Sequence, residues 1–177
     1  MFEVEIKAHL DDPDLIETRL IQLGAIFQKT IHQSDIYFQH PIRNFAQTDE
    51  AIRIRISDNR AYLTYKGPKI DSASKTREEL ELEIQEPDKL LAILEKIGFY
   101  SVARVIKSRK FYILEDIKIS LDKIESLKSF IELELEVTNE AIIPNARNRL
   151  VSLINQLEIS SEKLERRSYL ELLLFGK

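Results

Sequence analysis

Three stretches of the chain alternate acids with aliphatic residues: Glu3-Val4-Glu5-Ile6-Lys7, Glu79-Leu80-Glu81-Leu82 and Glu132-Leu133-Glu134-Leu135. Successive side chains of a strand point to opposite faces, so each stretch reads as a strand with a charged row and an apolar row. Bases recur with the same spacing in Arg53-Ile54-Arg55 and Lys107-Ser108-Arg109, and Lys66 and Asp122 sit in alternating segments of their own. Clustered carboxylates in a chain without cysteine suit a hard divalent cation such as Mg or Mn, bound through oxygen. Arginine forks and lysine point charges suit phosphate oxygens. Together these rows describe a metal-bound polyphosphate.

Composition narrows the class. With 177 residues, 44% hydrophobic and 32% charged, the chain is long enough for a substantial core, and a single domain over residues 1–177 is expected. A net charge of −4 weighs against a nucleic-acid partner. Apolar runs such as Leu172 to Phe175 are far short of the roughly 20 residues that span a bilayer, and no charged-then-apolar signal segment opens the chain. A cytoplasmic protein with no membrane partner is the expectation. The absence of cysteine excludes disulfides and thiolate metal sites, and His9, His32 and His40 share no spacing and read as ordinary polar residues. None of the four glycines forms a G-x-x-x-x-G-K loop, so side chains must cradle any phosphate.

The elements that must position these residues follow from periodicity and punctuation. Asp12-Pro13 opens a helix that Gly24 stops, with Leu15, Ile16, Leu20 and Leu23 as its apolar stripe. Gln33 to Phe38 is strand-like, followed by a surface loop through Pro41, Arg43 and Asn44. Glu50 to Ile56 and Ala61 to Lys66 form a hairpin about Asp58-Asn59, ended by Gly67-Pro68. A polar loop from Asp71 to Thr76 precedes a strand from Arg77 to Ile84, and Pro87-Asp88 opens a helix that stops at Gly98. Strands are expected at Val105–Tyr112, Ile117–Asp122 and Phe130–Val137, then two helices, one through Leu150 to Leu157 and one from about Ser161 to Phe175.

Half-buried strands commonly turn charges to water, and a curved sheet with polar rows outside satisfies each strand taken alone. The helices argue otherwise. Amphipathic helices need an apolar partner, and the aliphatic strand rows are the available one. If helices cover those rows, the charged rows line an interior, where acids, bases, water and a charged ligand must neutralise one another.

The ordered motifs resemble the CYTH superfamily, the triphosphate tunnel enzymes. Glu3-x-Glu5-x-Lys7 is similar to its E-x-E-x-K signature, and the order continues through Gln33-x-Asp35-x-Tyr37, Arg53-Ile54-Arg55, Leu63 to Pro68, Arg77 with Glu79 and Glu81, Lys107-x-Arg109, Leu121-Asp122, Phe130-x-Glu132-x-Glu134 and Ser168 to Leu173. The resemblance covers almost the whole chain and is closest to the class IV adenylyl cyclases, through Ser120 to Glu134 and the Ser168-Tyr169 terminus. It implies an α+β fold, an eight-stranded antiparallel β-barrel, or tunnel, with helices packed outside, holding a triphosphate and a divalent metal at its centre. Glu3, Glu5, Asp122, Glu132 and Glu134 would be metal ligands or hold the water around the metal, with Glu79 and Glu81 in support. Lys7, Arg53, Arg55, Lys66, Lys107 and Arg109 would grip phosphate, and Glu3, Glu5, Lys7 and Lys107 would carry catalysis. Lys128 departs from the pattern, standing where relatives usually carry glycine, which bears on the local turn. Relatives in this branch suggest a homodimer.

Two reactions fit these residues. In a cyclase a ribose 3′-hydroxyl attacks the α-phosphorus of ATP and pyrophosphate leaves; in a triphosphatase water attacks the terminal phosphorus of thiamine triphosphate, tripolyphosphate or a nucleotide. A non-catalytic polyphosphate-binding module predicts lost metal acids, whereas here all are present.

Overall fold

In the computed structural model, which describes residues 2–69 and 77–176, the alternating segments form one antiparallel sheet. Its strands are β1 (Phe2–Leu10), β2 (Ile26–Gln39), β3 (Ala51–Ser57), β4 (Arg60–Lys69), β5 (Arg77–Ile84), β6 (Tyr100–Leu114), β7 (Ile117–Ile124) and β8 (Ser129–Val137). The spatial order is β1-β8-β7-β6-β2-β3-β4-β5. The expected eight-stranded antiparallel architecture takes the form of a half-barrel. Among the described residues no ladder joins the edge strands β1 and β5, yet the sheet curls enough for the Glu79 carboxylate on β5 to push up the pKa of Glu3 on β1.

Among the described residues five α-helices accompany the sheet: α1 (Pro13–Gln22), α2 (Phe45–Thr48), α3 (Pro87–Lys96), α4 (Ile143–Gln156) and α5 (Tyr169–Phe175). Helix α1 starts where Asp12 Oδ1 accepts the Leu15 N–H at 3.0 Å with Pro13 in the first turn, and it ends before Gly24 at φ +92°. It buries Ile16 and Leu20 but leaves Leu15 and Leu23 exposed, so its apolar stripe is narrower than the sequence pattern implies. Together α1 and α4 cover the apolar rows of β1, β8, β7 and β6; Ile119 and Leu133 of the sheet, Leu150 of α4 and Leu157 at the end of α4 retain no accessible surface. Each such side chain contributes roughly 1.5–3 kcal/mol by leaving water. On the other half of the sheet Leu90, Leu91 and Leu94 of α3 pack on Ile36, Phe38 and Ile54. With these aliphatic rows covered from outside, the charged rows face the concave side, although on edge strand β5 Leu80 and Leu82 stay 59% and 66% exposed with no helix over them among the described residues.

The structure departs from the sequence expectation in several segments, and β2 and β6 run well beyond the expected Gln33–Phe38 and Val105–Tyr112 because each pairs along the other's whole length. Strand β4 continues past Gly67-Pro68, which sit in a register shift between Lys66 and Lys69; a bulge tolerates a residue without an N–H. The loop after Pro41 contains the short helix α2, capped by Asn44, whose side chain accepts from Ala46 N at 3.1 Å. The Lys128 departure leaves the turn intact, with Ser126 at φ 26° and Leu127 N–H on the Ile124 carbonyl at 3.3 Å. The expected helix from Ser161 to Phe175 is broken. Leu164 bridges Ala8 and the Glu165 N–H donates to the Lys7 carbonyl at 2.8 Å, so this backbone is bonded to β1 and not to itself. Ser168 and Glu171 then restart helix α5 as a reciprocal capping box. The expected loop at 71–76 lies outside the described residues.

Candidate active site

The concave face encloses a cavity of about 560 Å³, within the range of small-molecule sites. Of the residues the sequence singles out, Glu3, Glu5, Lys7, Arg53, Arg55, Lys66, Glu79, Glu81, Lys107, Arg109, Glu132 and Glu134 all line it. Strand register explains the convergence. Glu5 lies opposite Glu134, Lys7 opposite Glu132, Arg109 opposite Asp122, Asp35 opposite Arg55, and Thr64 opposite both Arg53 and Glu81. Residues that pair across a ladder share a face, so one inward position on each strand brings the row with it.

At one end stand three carboxylates. Oxygens of Glu3, Glu5 and Glu134 lie within 4.8 Å of one another. Burial pushes the Glu134 pKa up to about 8, and the neighbouring charges of Glu132, Glu3 and Glu5 add to the shift. Burial raises Glu3 as well, with Glu79 and Glu5 pushing in the same direction. Three hard oxygen donors held together against their mutual repulsion are a set that a divalent cation suits. The other expected metal residues are engaged elsewhere. Glu79 accepts from Lys66 Nζ at 2.5 Å, Glu81 from Thr64 Oγ1 at 2.9 Å, and Glu132 from Arg109 Nη2. Asp122 does not line the cavity: it lies beneath Arg109, accepting from its Nε at 2.6 Å and Nη2 at 2.5 Å and from the Tyr169 hydroxyl at 2.7 Å.

The bases occupy the middle. Arg55 donates two hydrogen bonds to Asp35, both at 2.7 Å, and Arg53 Nη1 approaches the same carboxylate at 3.6 Å. The Arg53 Nη2 donates to Thr64 Oγ1 at 3.2 Å, while its Nε is buried with no hydrogen-bond partner among the described residues. Lys107 Nζ stands 3.9 Å from Asp35 and 4.0 Å from Asp122, beyond hydrogen-bonding reach of either. Burial, with Arg109 and Arg55 close by, lowers its pKa to about 7 despite the opposing pull of Asp122 and Asp35. Burial and Arg53 lower that of Lys66. Lys7 projects under Tyr169, 4.2 Å from the ring centroid, and donates to the Arg167 carbonyl.

Sequence reasoning assigned no role to several residues that build this site. Asp35 and Tyr37 sit on the inward row of β2, visible in the alternation of Gln33-x-Asp35-x-Tyr37, and Arg77 shares the inward row of Glu79 and Glu81. Tyr169 closes over the bases from α5, and Glu165 with Arg167 holds the turn before it. No periodicity announces that last group, because its placement depends on the chain returning to β1.

A CYTH domain model matches residues 1–169. Among curated proteins the chain is 42% identical over 172 residues to putative adenylate cyclase MJ0240 of Methanocaldococcus jannaschii, covering 97% of this chain and 98% of that one. It is 29% identical to adenylate cyclase CyaB of Aeromonas hydrophila, over 95% and 86% of the two chains. Among solved structures, protein PH1819 of Pyrococcus horikoshii superposes with a TM-score of 0.90 at 44% identity, over 99% of both chains. The fold extends to HpAC1 of Hippeastrum, a putative adenylyl cyclase with a dominant triphosphatase activity, at a TM-score of 0.74, 22% identity, and 100% and 97% coverage. In extent of match, in strand order and in the inward charged rows, this chain belongs to the CYTH domain family.

Proposed function

We propose that the cavity binds a triphosphate together with Mg or Mn, and that the reaction is conversion of ATP to cyclic AMP and pyrophosphate. The observation that carries the binding reading is the convergence on one cavity of a carboxylate cluster, Glu3, Glu5 and Glu134, and of the bases Lys7, Arg53, Lys107 and Arg109. Glu3, Glu5 and Glu134 would hold the metal. When bound, the metal supplies charge that lowers the hydroxyl pKa and neutralises the leaving group. Asp122 acts behind the site, fixing the Arg109 guanidinium so that it need not reorganise as phosphate charge develops. The buried Arg53 Nε is a donor available to a phosphate oxygen. Lys107, which takes a proton from solvent when the field of an arriving polyanion favours its ammonium form, offers a cation to the departing pyrophosphate. The 3′-hydroxyl gives up its proton to solvent as its oxygen bonds to the α-phosphorus, the bond from that phosphorus to the α–β bridging oxygen breaks, and pyrophosphate carries away the electron pair.

The cyclase assignment is supported by the names of the curated relatives; the triphosphatase activity of HpAC1 favours a second reading, with water attacking the terminal phosphorus in the same cavity. The deciding experiment offers purified protein ATP, tripolyphosphate and thiamine triphosphate in parallel with Mg or Mn and separates the products. Cyclic AMP with stoichiometric pyrophosphate is expected. Orthophosphate without any cyclic nucleotide overturns the cyclase and leaves the same residues serving hydrolysis.

A further inference from the structure

Lys107 lies close to two buried carboxylates and closes on neither. Its Nζ stands 3.9 Å from Asp35 Oδ2 and 4.0 Å from Asp122 Oδ2. At Asp35 the oxygens are taken by Arg55, which donates to both at 2.7 Å. At Asp122 the task is shared: Oδ2 accepts from Arg109 Nη2 at 2.5 Å and from the Tyr169 hydroxyl at 2.7 Å. A carboxylate oxygen has two lone pairs, so this one has no site left for a third donor. Burial, with the Glu132 and Asp122 charges beside it, pushes the Tyr169 pKa well above its ordinary value, and the phenol keeps the proton it donates. The Tyr169 ring then supplies what the carboxylate withholds. Lys107 Nζ lies 5.1 Å and Lys7 Nζ 4.2 Å from its centroid, both within reach of a cation–π contact. The ring is itself held, buried edge-on against Phe130 at 5.1 Å, in the first turn of α5 behind the Ser168 cap.

We propose that Tyr169 is a positioning residue for phosphate binding: its hydroxyl fills the Asp122 oxygen that would otherwise capture Lys107, so that this lysine stays available to the triphosphate. The proposal rests on the triphosphate reading of the cavity. An ammonium locked to a carboxylate must break a hydrogen bond between charged groups before it meets phosphate, and binding then loses what that bond is worth. Tyr169→Phe separates the hydroxyl from the ring. It keeps the packing on Phe130 and both cation contacts, but opens one lone pair on Asp122, whose two bonds from Arg109 remain.

The test is a double-mutant cycle on binding. Calorimetry measures ATP and tripolyphosphate, each with Mg at low ionic strength, against the wild type, Tyr169→Phe, Lys107→Met and the double variant. Tyr169→Phe should weaken whichever ligand the wild type binds by about tenfold, the low end for competition with a hydrogen bond to a charged group. In the Lys107→Met background the same change should cost nothing further. Equal weakening in both backgrounds places the effect in Arg109 or the fold and overturns the proposal, as does unaltered affinity in Tyr169→Phe. A crystal structure of Tyr169→Phe gives a second readout that needs no ligand: Lys107 Nζ should close from 4.0 Å to about 3 Å from Asp122 Oδ2, and an unchanged gap overturns the proposal. With wild-type binding intact these outcomes remove the proposal alone, whereas a wild type that binds neither triphosphate removes the reading beneath it and the proposal with it.

Discussion

The Lys7 ammonium donates to the carbonyl of Arg167, 160 residues further along the chain. The cation of the first strand is therefore oriented by the turn that leads into α5. That turn is pinned by Glu165, whose carboxylate accepts from Arg167 N at 2.9 Å, Nε at 3.0 Å and Nη2 at 2.7 Å and pairs with His9 Nε2 at 3.1 Å.

Glu165 should make the protein acid-sensitive. Hydrogen bonds from Arg167 hold its pKa down at about 2 from an ordinary 4.5. A depressed carboxylate contributes its stability above the unfolded value and loses it as pH falls through the folded one, here between roughly pH 5 and pH 2. Glu165→Gln should cost about 1.5–3 kcal/mol at neutral pH, as for a lost hydrogen bond to a charged group, and should flatten the fall in melting temperature over that window. Parallel acid profiles for variant and wild type would remove Glu165 from this role.

Metal binding should depend on Glu5. Glu5→Gln takes one charge from the cluster with Glu3 and Glu134 and should weaken Mn binding at least about tenfold, the loss typical even of residues that only support metal ligands. Circular dichroism should stay that of the wild type, because relieving repulsion among clustered carboxylates does not disfavour the fold. Unaltered Mn affinity by calorimetry would sink the assignment.

Triphosphate should bring a proton with it. At about pH 8 Lys107, with its pKa near 7, is largely neutral, and a polyanion beside it favours the ammonium. Calorimetry in buffers of different ionisation enthalpy should show uptake of about one proton per triphosphate bound, absent in Lys107→Met. In the free protein the same group adds stability as pH rises from about 7 toward its ordinary 10.5, since the unfolded chain binds the extra proton there. Buffer-independent heats in the wild type would count against it.

Arg55 should matter first for stability. Its two bonds to Asp35 satisfy a carboxylate that is 1% exposed, so Arg55→Ala strips both hydrogen bonds from a buried charge, leaves it only the more distant Arg53 and Lys107, and should cost about 1.5–3 kcal/mol. Adding Asp35→Asn should recover part of the loss. Additive losses in chemical denaturation would show that the pair is not coupled.

The sequence by itself determined which residues share a face. Alternation has a period of two, so Glu3 with Glu5, Arg53 with Arg55, Lys107 with Arg109 and Glu132 with Glu134 had to lie on common rows whatever the sheet did with them. Helix starts were legible for a similarly local reason, as at Asp12-Pro13, where a side-chain oxygen and a ring without an N–H suit the first turn. The direction of the rows was not local. It depended on α1, α3 and α4 covering the aliphatic side, a choice driven by apolar area leaving water over the whole sheet.

Tertiary structure also decided how the charges were divided among partners. Asp122 and Glu134 alternate with apolar residues in the same way, yet Asp122 lies clasped beneath Arg109 while Glu134 faces Glu3 and Glu5, because each strand's register and the position of Tyr169 set which groups meet. The segment before α5 shows the limit most plainly. Its composition suits a continuous helix from Ser161 to Phe175, but hydrogen bonding to β1 and the Glu165 carboxylate holds the chain extended between Leu164 and Arg167. A backbone N–H has one hydrogen to give, and a partner on a strand some 160 residues away in sequence is invisible to any window that reads only neighbours.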